Sequence, residues 1–238
     1  MKTKAIIFDK DGTLLDFDGF WVTVSENAIG EILKDLKRED IDLGEVLTAY
    51  GVTNGITDIE GVLCKGTYEQ MGEILHDILC SHGVEISRDN VIKKIHTAYE
   101  NNSHTGIIKP TCPKLKQVLS ELKNRGIKLA VVTTDNEPIT KHCLDELGIL
   151  DLFDKIYTDD GKTPVKPDPF CVNALCTAFN LKKDEVVMVG DTMTDVCFAK
   201  NAGITSIAVA KNEKNKSVLV PHAGYVVGSI DEIVDIIG

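Results

Sequence analysis

Phe8-Asp9-Lys10-Asp11-Gly12-Thr13 follows directly on the apolar run Ala5-Ile6-Ile7. The apolar run reads as a buried strand, and it ends in two acids one residue apart. In extended geometry residues i and i+2 share a face, so Asp9 and Asp11 are expected to crowd each other, with Lys10 on the opposite side. Two carboxylates that close repel unless a cation sits between them or one of them holds a proton. The rest of the chain has to supply the neutralising groups.

The chain has 238 residues, 43% apolar and 26% charged, enough for one large domain or for a core with a smaller insert. A formal net charge of −11 argues against nucleic acid or an anionic membrane surface as the main partner. A small phosphorylated substrate is still compatible, because one metal and one lysine make a local positive site. The apolar run after Met1-Lys2-Thr3-Lys4 is too short for a signal peptide, and nothing later approaches the length of a membrane span. The seven cysteines are scattered with no C-x-x-C pair, which predicts reduced thiols in a cytoplasmic protein.

From Gly106 onward strands and helices alternate. Buried strands are expected at 127–132, 153–157, 186–189, 206–209 and 225–227, and helices near 113–125, 137–147, 169–180, 193–202 and 230–237. Pro113 and Pro169 are placed in first helical turns, and Gly126, Gly148 and Gly203 just past helix ends as left-handed caps. Apolar strands alternating with helices imply a parallel sheet covered on both faces. The stretch 20–103 breaks the rhythm, with helical patterns near 20–37, 42–50, 67–82 and 88–102 and no convincing strand. Thr67 and Ser87 read as N-caps there.

Ligands of open parallel sheets bind beyond the carboxyl ends of the strands, so the residues that follow each strand matter most. After the first come Asp9, Asp11 and Thr13; after Val131-Val132 come Thr133, Thr134 and Asp135; after Tyr157 comes a loop that reaches Lys166; after Val189 comes Gly190-Asp191-Thr192-Met193-Thr194-Asp195. Asp9, Asp11 and Asp191 together suit Mg²⁺, a hard cation held by one or two carboxylates plus a substrate phosphate. Lys166 and a threonine hydroxyl would neutralise the other phosphoryl oxygens. An EF-hand reading of the same acids fails, because Leu14 stands where the loop needs glycine and Phe20 where it needs glutamate.

These four strand ends resemble the motifs of the haloacid dehalogenase superfamily, D-x-D-x-T, Ser/Thr, Lys and G-D-x-x-x-D, in that order and over essentially the whole chain. The pattern is similar to phosphoglycolate-phosphatase-like and β-phosphoglucomutase-like members. The resemblance implies an α/β fold, a Rossmann-like doubly wound parallel sheet core (1–15 and 106–238) with an inserted α-helical cap (16–105) that opens to admit substrate. It implies a Mg²⁺-dependent phosphatase acting on a small phosphorylated metabolite, phosphoglycolate or a sugar phosphate. Asp9 would be the nucleophile, Asp11 the acid and base with its backbone carbonyl on the metal, Asp191 a metal ligand, and Asp195 a ligand or its support. Lys166 and Thr133 would hold the phosphate. Many relatives have asparagine after the threonine where this chain has Thr134-Asp135, so Thr134 stays the alternative hydroxyl. A phosphomutase and a phosphate-accepting sensor are the competing functions, and monomer and homodimer are both open.

Overall fold

The computed structural model describes residues 2–237. Ala5–Phe8 forms β1, and all four of its side chains are fully buried. The chain then runs through α1 (Thr23–Asp35), α2 (Leu43–Ala49), the short strands β2 (Val52–Thr53) and β3 (Ile56–Thr57), α3 (Val62–Lys65), α4 (Tyr68–Ser81) and α5 (Arg88–Asn102). It continues as α6 (Leu115–Asn124), β4 (Lys128–Val132), α7 (Glu137–Glu146), β5 (Lys155–Tyr157), α8 (Phe170–Phe179) and β6 (Val186–Gly190). The last elements are α9 (Met193–Ala202), β7 (Thr205–Val209), α10 (Glu213–Leu219), β8 (Tyr225–Val227) and α11 (Ile233–Ile237). Two compact units result, Met1–Asp16 with Ile108–Gly238, and Phe17–Ile107.

The first unit is built on a six-stranded sheet in the order β5-β4-β1-β6-β7-β8. Every neighbouring pair is parallel. Alternation along β1 explains the two covered faces. Ile6 and Phe8 point to one side, where Leu129, Val131, Val187 and Val189 join α6 through Leu115, Leu119 and Leu122. Ala5 and Ile7 point to the other, where Ala130, Val132 and Met188 meet Val172 and Leu175 of α8 and Phe198 and Ala199 of α9. Each fully buried aliphatic side chain contributes about 1.5–3 kcal/mol of burial free energy, so a polar residue cannot be tolerated within β1. The strand order also reverses at β1: the chain adds β4 and β5 on one side, then β6, β7 and β8 on the other. That reversal opens a crevice at the carboxyl end of β1.

The second unit is mainly helical. Its core comes from Val24, Ala28, Ile29 and Ile32 of α1, Met71, Leu75 and Leu79 of α4, and Val91, Ile95 and Tyr99 of α5, spaced three or four apart as one helix face requires. Buried hydroxyls are satisfied: Tyr50 donates to the Met71 carbonyl at 2.9 Å and Tyr99 to Ser25 Oγ at 2.7 Å. Thr67 caps α4 reciprocally with Gln70, whereas Ser87 occupies the cap position of α5 without a side-chain hydrogen bond.

Several sequence expectations need adjustment. β2 and β3 form a two-residue hairpin inside the helical segment, turning at Asn54 (φ 51°) and Gly55 (φ 74°). Pro113 and Pro169 precede α6 and α8 rather than entering their first turns. α10 lies where no helix was expected. The left-handed glycines 126, 148 and 203 stand as predicted, with φ of 80°, 65° and 71°. Among the described residues no helix is long and apolar enough to cross a membrane.

Candidate active site

β1 stops at Phe8, and the chain turns at once. The Lys10 carbonyl accepts from Leu14 and Leu15 N–H at 2.9 Å, and Gly12 N–H donates back to the Leu15 carbonyl at 2.8 Å. Gly12 takes φ +83°, which glycine reaches without the steric cost of a Cβ. Each of the two acids has its own lysine, and Asp11 still pushes the Asp9 carboxyl up, as the crowding of two acids one residue apart predicts. Asp9 Oδ1 accepts from Lys166 Nζ, and Asp11 Oδ1 accepts from Lys10 Nζ at 2.7 Å.

Lys166 arrives from the loop after β5 and is almost fully buried. Besides Asp9 it donates to Asp195 Oδ1 at 2.8 Å. The other oxygen of Asp195 accepts from the Thr192 N–H at 3.1 Å and the Thr192 hydroxyl at 2.8 Å, so it caps α9. The cap and the ion pair are therefore one residue's two functions, and Asp195 is positioned rigidly by both. Asp191 follows β6 and accepts from the Thr13 hydroxyl at 3.2 Å. Carboxylate oxygens of Asp9, Asp191 and Asp195 lie within 4.8 Å of one another, and all three residues are buried. The Asp11 side chain is outside that cluster.

The glycines show how tightly the cluster is enclosed. A Cβ on Gly12 would stand 2.0 Å from Asp191 Oδ2, and one on Gly190 would stand 2.3 Å from Asp195 Cγ. Gly12→Ala is therefore expected to displace Asp191 while straining a left-handed backbone. The expected result is a loss of about 1–3 kcal/mol of stability in urea titrations and a higher divalent-cation concentration for half-maximal activity.

Burial dominates the electrostatics. It pushes the Asp9 carboxyl up to about 7; Lys166 pulls it down, and Asp195 and Asp11 push it further up. Asp191 is raised well above the ordinary carboxylate range by burial and then by Asp9 and Asp195. Burial opposes the charge on Lys166, but Asp195 and Asp9 outweigh it and raise its pKa. Five carboxylates (Asp9, Asp11, Asp135, Asp191, Asp195) thus face two buried ammoniums, Lys10 and Lys166. The deficit of positive charge, the all-oxygen donor set and the close carboxylates fit a hard divalent cation such as Mg²⁺.

Of the two candidate hydroxyls, Thr133 is buried at the end of β4 and Thr134 is exposed. Thr133 N–H donates to the Tyr157 carbonyl at 3.0 Å, and its Oγ1 accepts from Asp135 N–H at 3.2 Å. The structure thus brings Asp9, Asp191, Asp195 and Lys166 into direct contact or close approach and leaves Thr134 at the surface. Sequence reasoning placed Thr13 among the strand-end residues but gave it no role; the structure has it donating to Asp191. It also left Lys10 and Asp135 without roles.

These features define a class. Residues 3–203 match the family model for haloacid dehalogenase-like hydrolases, and the chain belongs to that family. It is similar over nearly its whole length to phosphatases: 26% identical to the phosphoglycolate phosphatase of Neisseria meningitidis, across 97% of this chain and 92% of the relative. It is 25% identical to the pyrophosphatase PpaX of Oceanobacillus iheyensis, across 100% and 98%. A crystal structure described as a predicted phosphoglycolate phosphatase of Haemophilus somnus shares the fold, with a TM-score of 0.74 at 22% identity over 100% of this chain and 99% of that one. The protein is accordingly a phosphatase of the haloacid dehalogenase type.

Proposed function

We propose that this enzyme hydrolyses a small phosphorylated metabolite through an aspartyl phosphate (an acyl phosphate) formed on Asp9, with Mg²⁺ as its cofactor and phosphoglycolate as the leading candidate substrate. The observation that carries the reading is the buried Asp9–Asp191–Asp195 cluster with Lys166 bridging Asp9 and Asp195, at the crevice where the strand order reverses. Asp9, Asp191 and the backbone carbonyl of Asp11 would hold the cation, supported by Asp195. When bound, Mg²⁺ would screen the approach of a phosphate dianion to a carboxylate.

The remaining chemistry falls to the chain's own residues. An Asp9 oxygen attacks phosphorus, the ester P–O bond breaks, and Asp11 gives its proton to the departing alkoxide. Asp11 then takes a proton from water, whose oxygen attacks the same phosphorus; phosphate leaves and Asp9 is regenerated. Lys166 and the Thr133 hydroxyl neutralise and orient the non-reacting oxygens. The unit Phe17–Ile107 is read as the cap that selects the substrate, and Met1–Asp16 with Ile108–Gly238 as the catalytic core. Phosphoglycolate leads because phosphoglycolate phosphatases recur among the similar proteins; the pyrophosphatase relative makes pyrophosphate the competing substrate.

The test is phosphate release from phosphoglycolate, a panel of sugar phosphates, pyrophosphate and p-nitrophenyl phosphate, with Mg²⁺ and with EDTA. Many turnovers per chain that stop in EDTA and resume on added Mg²⁺ are expected, with phosphoglycolate highest in kcat/KM. A higher kcat/KM for pyrophosphate would replace the substrate assignment. A single phosphate per chain would replace the enzyme by a phosphate-accepting sensor.

A further inference from the structure

Lys10 is fully buried, and it lies beside the proposed acid and base rather than beside the nucleophile. Its Nζ is 2.7 Å from Asp11 Oδ1 and 2.9 Å from Asp135 Oδ2. The first contact is a hydrogen bond. The second is a charge contact without an aligned hydrogen bond. Burying an ammonium carries a desolvation cost, which a leucine or methionine filling the same space would not incur. Asp135 is itself fixed, since its N–H donates to Thr133 Oγ1 and its carbonyl accepts from Asp159 N–H at 2.9 Å. An acid just beyond β4, its backbone held on both sides, therefore faces an ammonium, and the ammonium holds the carboxylate that follows β1.

We propose that Lys10 is a positioning residue: anchored by Asp135, it holds the Asp11 carboxylate in the one orientation from which a proton reaches the leaving oxygen. The proposal rests on the reading of Asp11 as proton carrier. A carboxylate in a turn has two side-chain torsions free to rotate. A buried hydrogen bond from a fixed cation removes that freedom before substrate arrives, which is how positioned groups lower a barrier.

The leaving group separates positioning from mere support of the fold. The value of kcat/KM reports steps through cleavage of the ester P–O bond. An alkoxide needs a proton from Asp11 to leave, whereas p-nitrophenolate leaves without one. Lys10→Met is expected to lower kcat/KM for an alkyl phosphate about ten-fold or more beyond its effect on p-nitrophenyl phosphate. Asp135→Asn, which removes the anchor but keeps the grip, should shift the same ratio less. The double variant Lys10→Met/Asp135→Asn deletes one charge of each sign and should recover the stability that Lys10→Met loses while keeping the altered ratio.

Equal losses on both esters, or a double variant whose ratio returns to that of the wild type, would overturn the positioning role. Asp11→Asn distinguishes the two levels of failure. If it changes the ratio and Lys10→Met does not, the Lys10 proposal alone falls. If Asp11→Asn leaves the ratio unchanged, the proton-carrier reading falls and takes this one with it.

Discussion

Asp9→Asn is expected to abolish turnover while making the folded protein more stable, two effects of opposite sign from one substitution. An amide cannot form the acyl phosphate, so the loss in kcat should be on the order of 10⁴-fold or more. The gain in stability follows from burial. Asp9 titrates at about 7 when folded, against 3.8 for an ordinary aspartate. A carboxyl with a raised folded pKa binds its proton more tightly in the native state. Its contribution to stability is thus fully present below about 3.8 and is lost as pH rises through about 7. Without added cation the stability gap between Asp9→Asn and wild type should be small near pH 4 and widen to on the order of 4 kcal/mol at pH 8. Urea titrations at three pH values read the gap, and parallel phosphate assays read the activity. A gap that stays flat with pH would contradict the electrostatic account of the cluster.

Lys166→Met should carry a large cost in stability. Its ammonium is buried and hydrogen-bonded to both Asp9 and Asp195. Deleting one partner of a buried ion pair leaves the other uncompensated, at about 3–5 kcal/mol. Here two carboxylates are left facing each other, and without Lys166 the Asp9 carboxyl is pushed above about 7, so the cost should be greatest at alkaline pH, shrink as pH falls towards 7 and level off below it. Activity should fall by about 10²–10³-fold, the scale of losing one preorganised donor to a developing charge. Lys141, whose pair with Glu137 lies exposed on α7, is the control: Lys141→Met should change stability by less than about 1 kcal/mol. Equal costs at the two lysines would contradict the burial argument.

The fold was legible wherever a strand is buried on both faces, because such strands read as apolar runs and the acids, threonine and lysine that follow them stand out. That legibility extended to the order of the strand-end motifs along the chain. It failed where local geometry departs from a period. Alternation places Lys10 opposite Asp9 and Asp11, but alternation ends at Phe8, and the turn at Gly12 sends Lys10 inward. The Lys10–Asp135 contact joins residues from the segments that follow β1 and β4, a pairing that no single stretch of sequence contains. Helix α10 was missed because Glu213-Lys214-Asn215-Lys216-Ser217 carries no apolar face and only Leu219 is buried. The hairpin of β2 and β3 is too short for any periodicity to register. Asp195 turns one oxygen to Lys166 and the other to Thr192 at the start of α9, a division that no spacing in the sequence reveals.

The most direct measurement is an acid quench of the enzyme with Mg²⁺ and ³²P-labelled substrate in the first turnovers, followed by peptide mapping. Label on the peptide containing Asp9, stable in acid, released by alkali or hydroxylamine and missing from Asp9→Asn, is the predicted result. Rapid multiple turnover with label on no residue, or on a residue other than Asp9, would contradict the account.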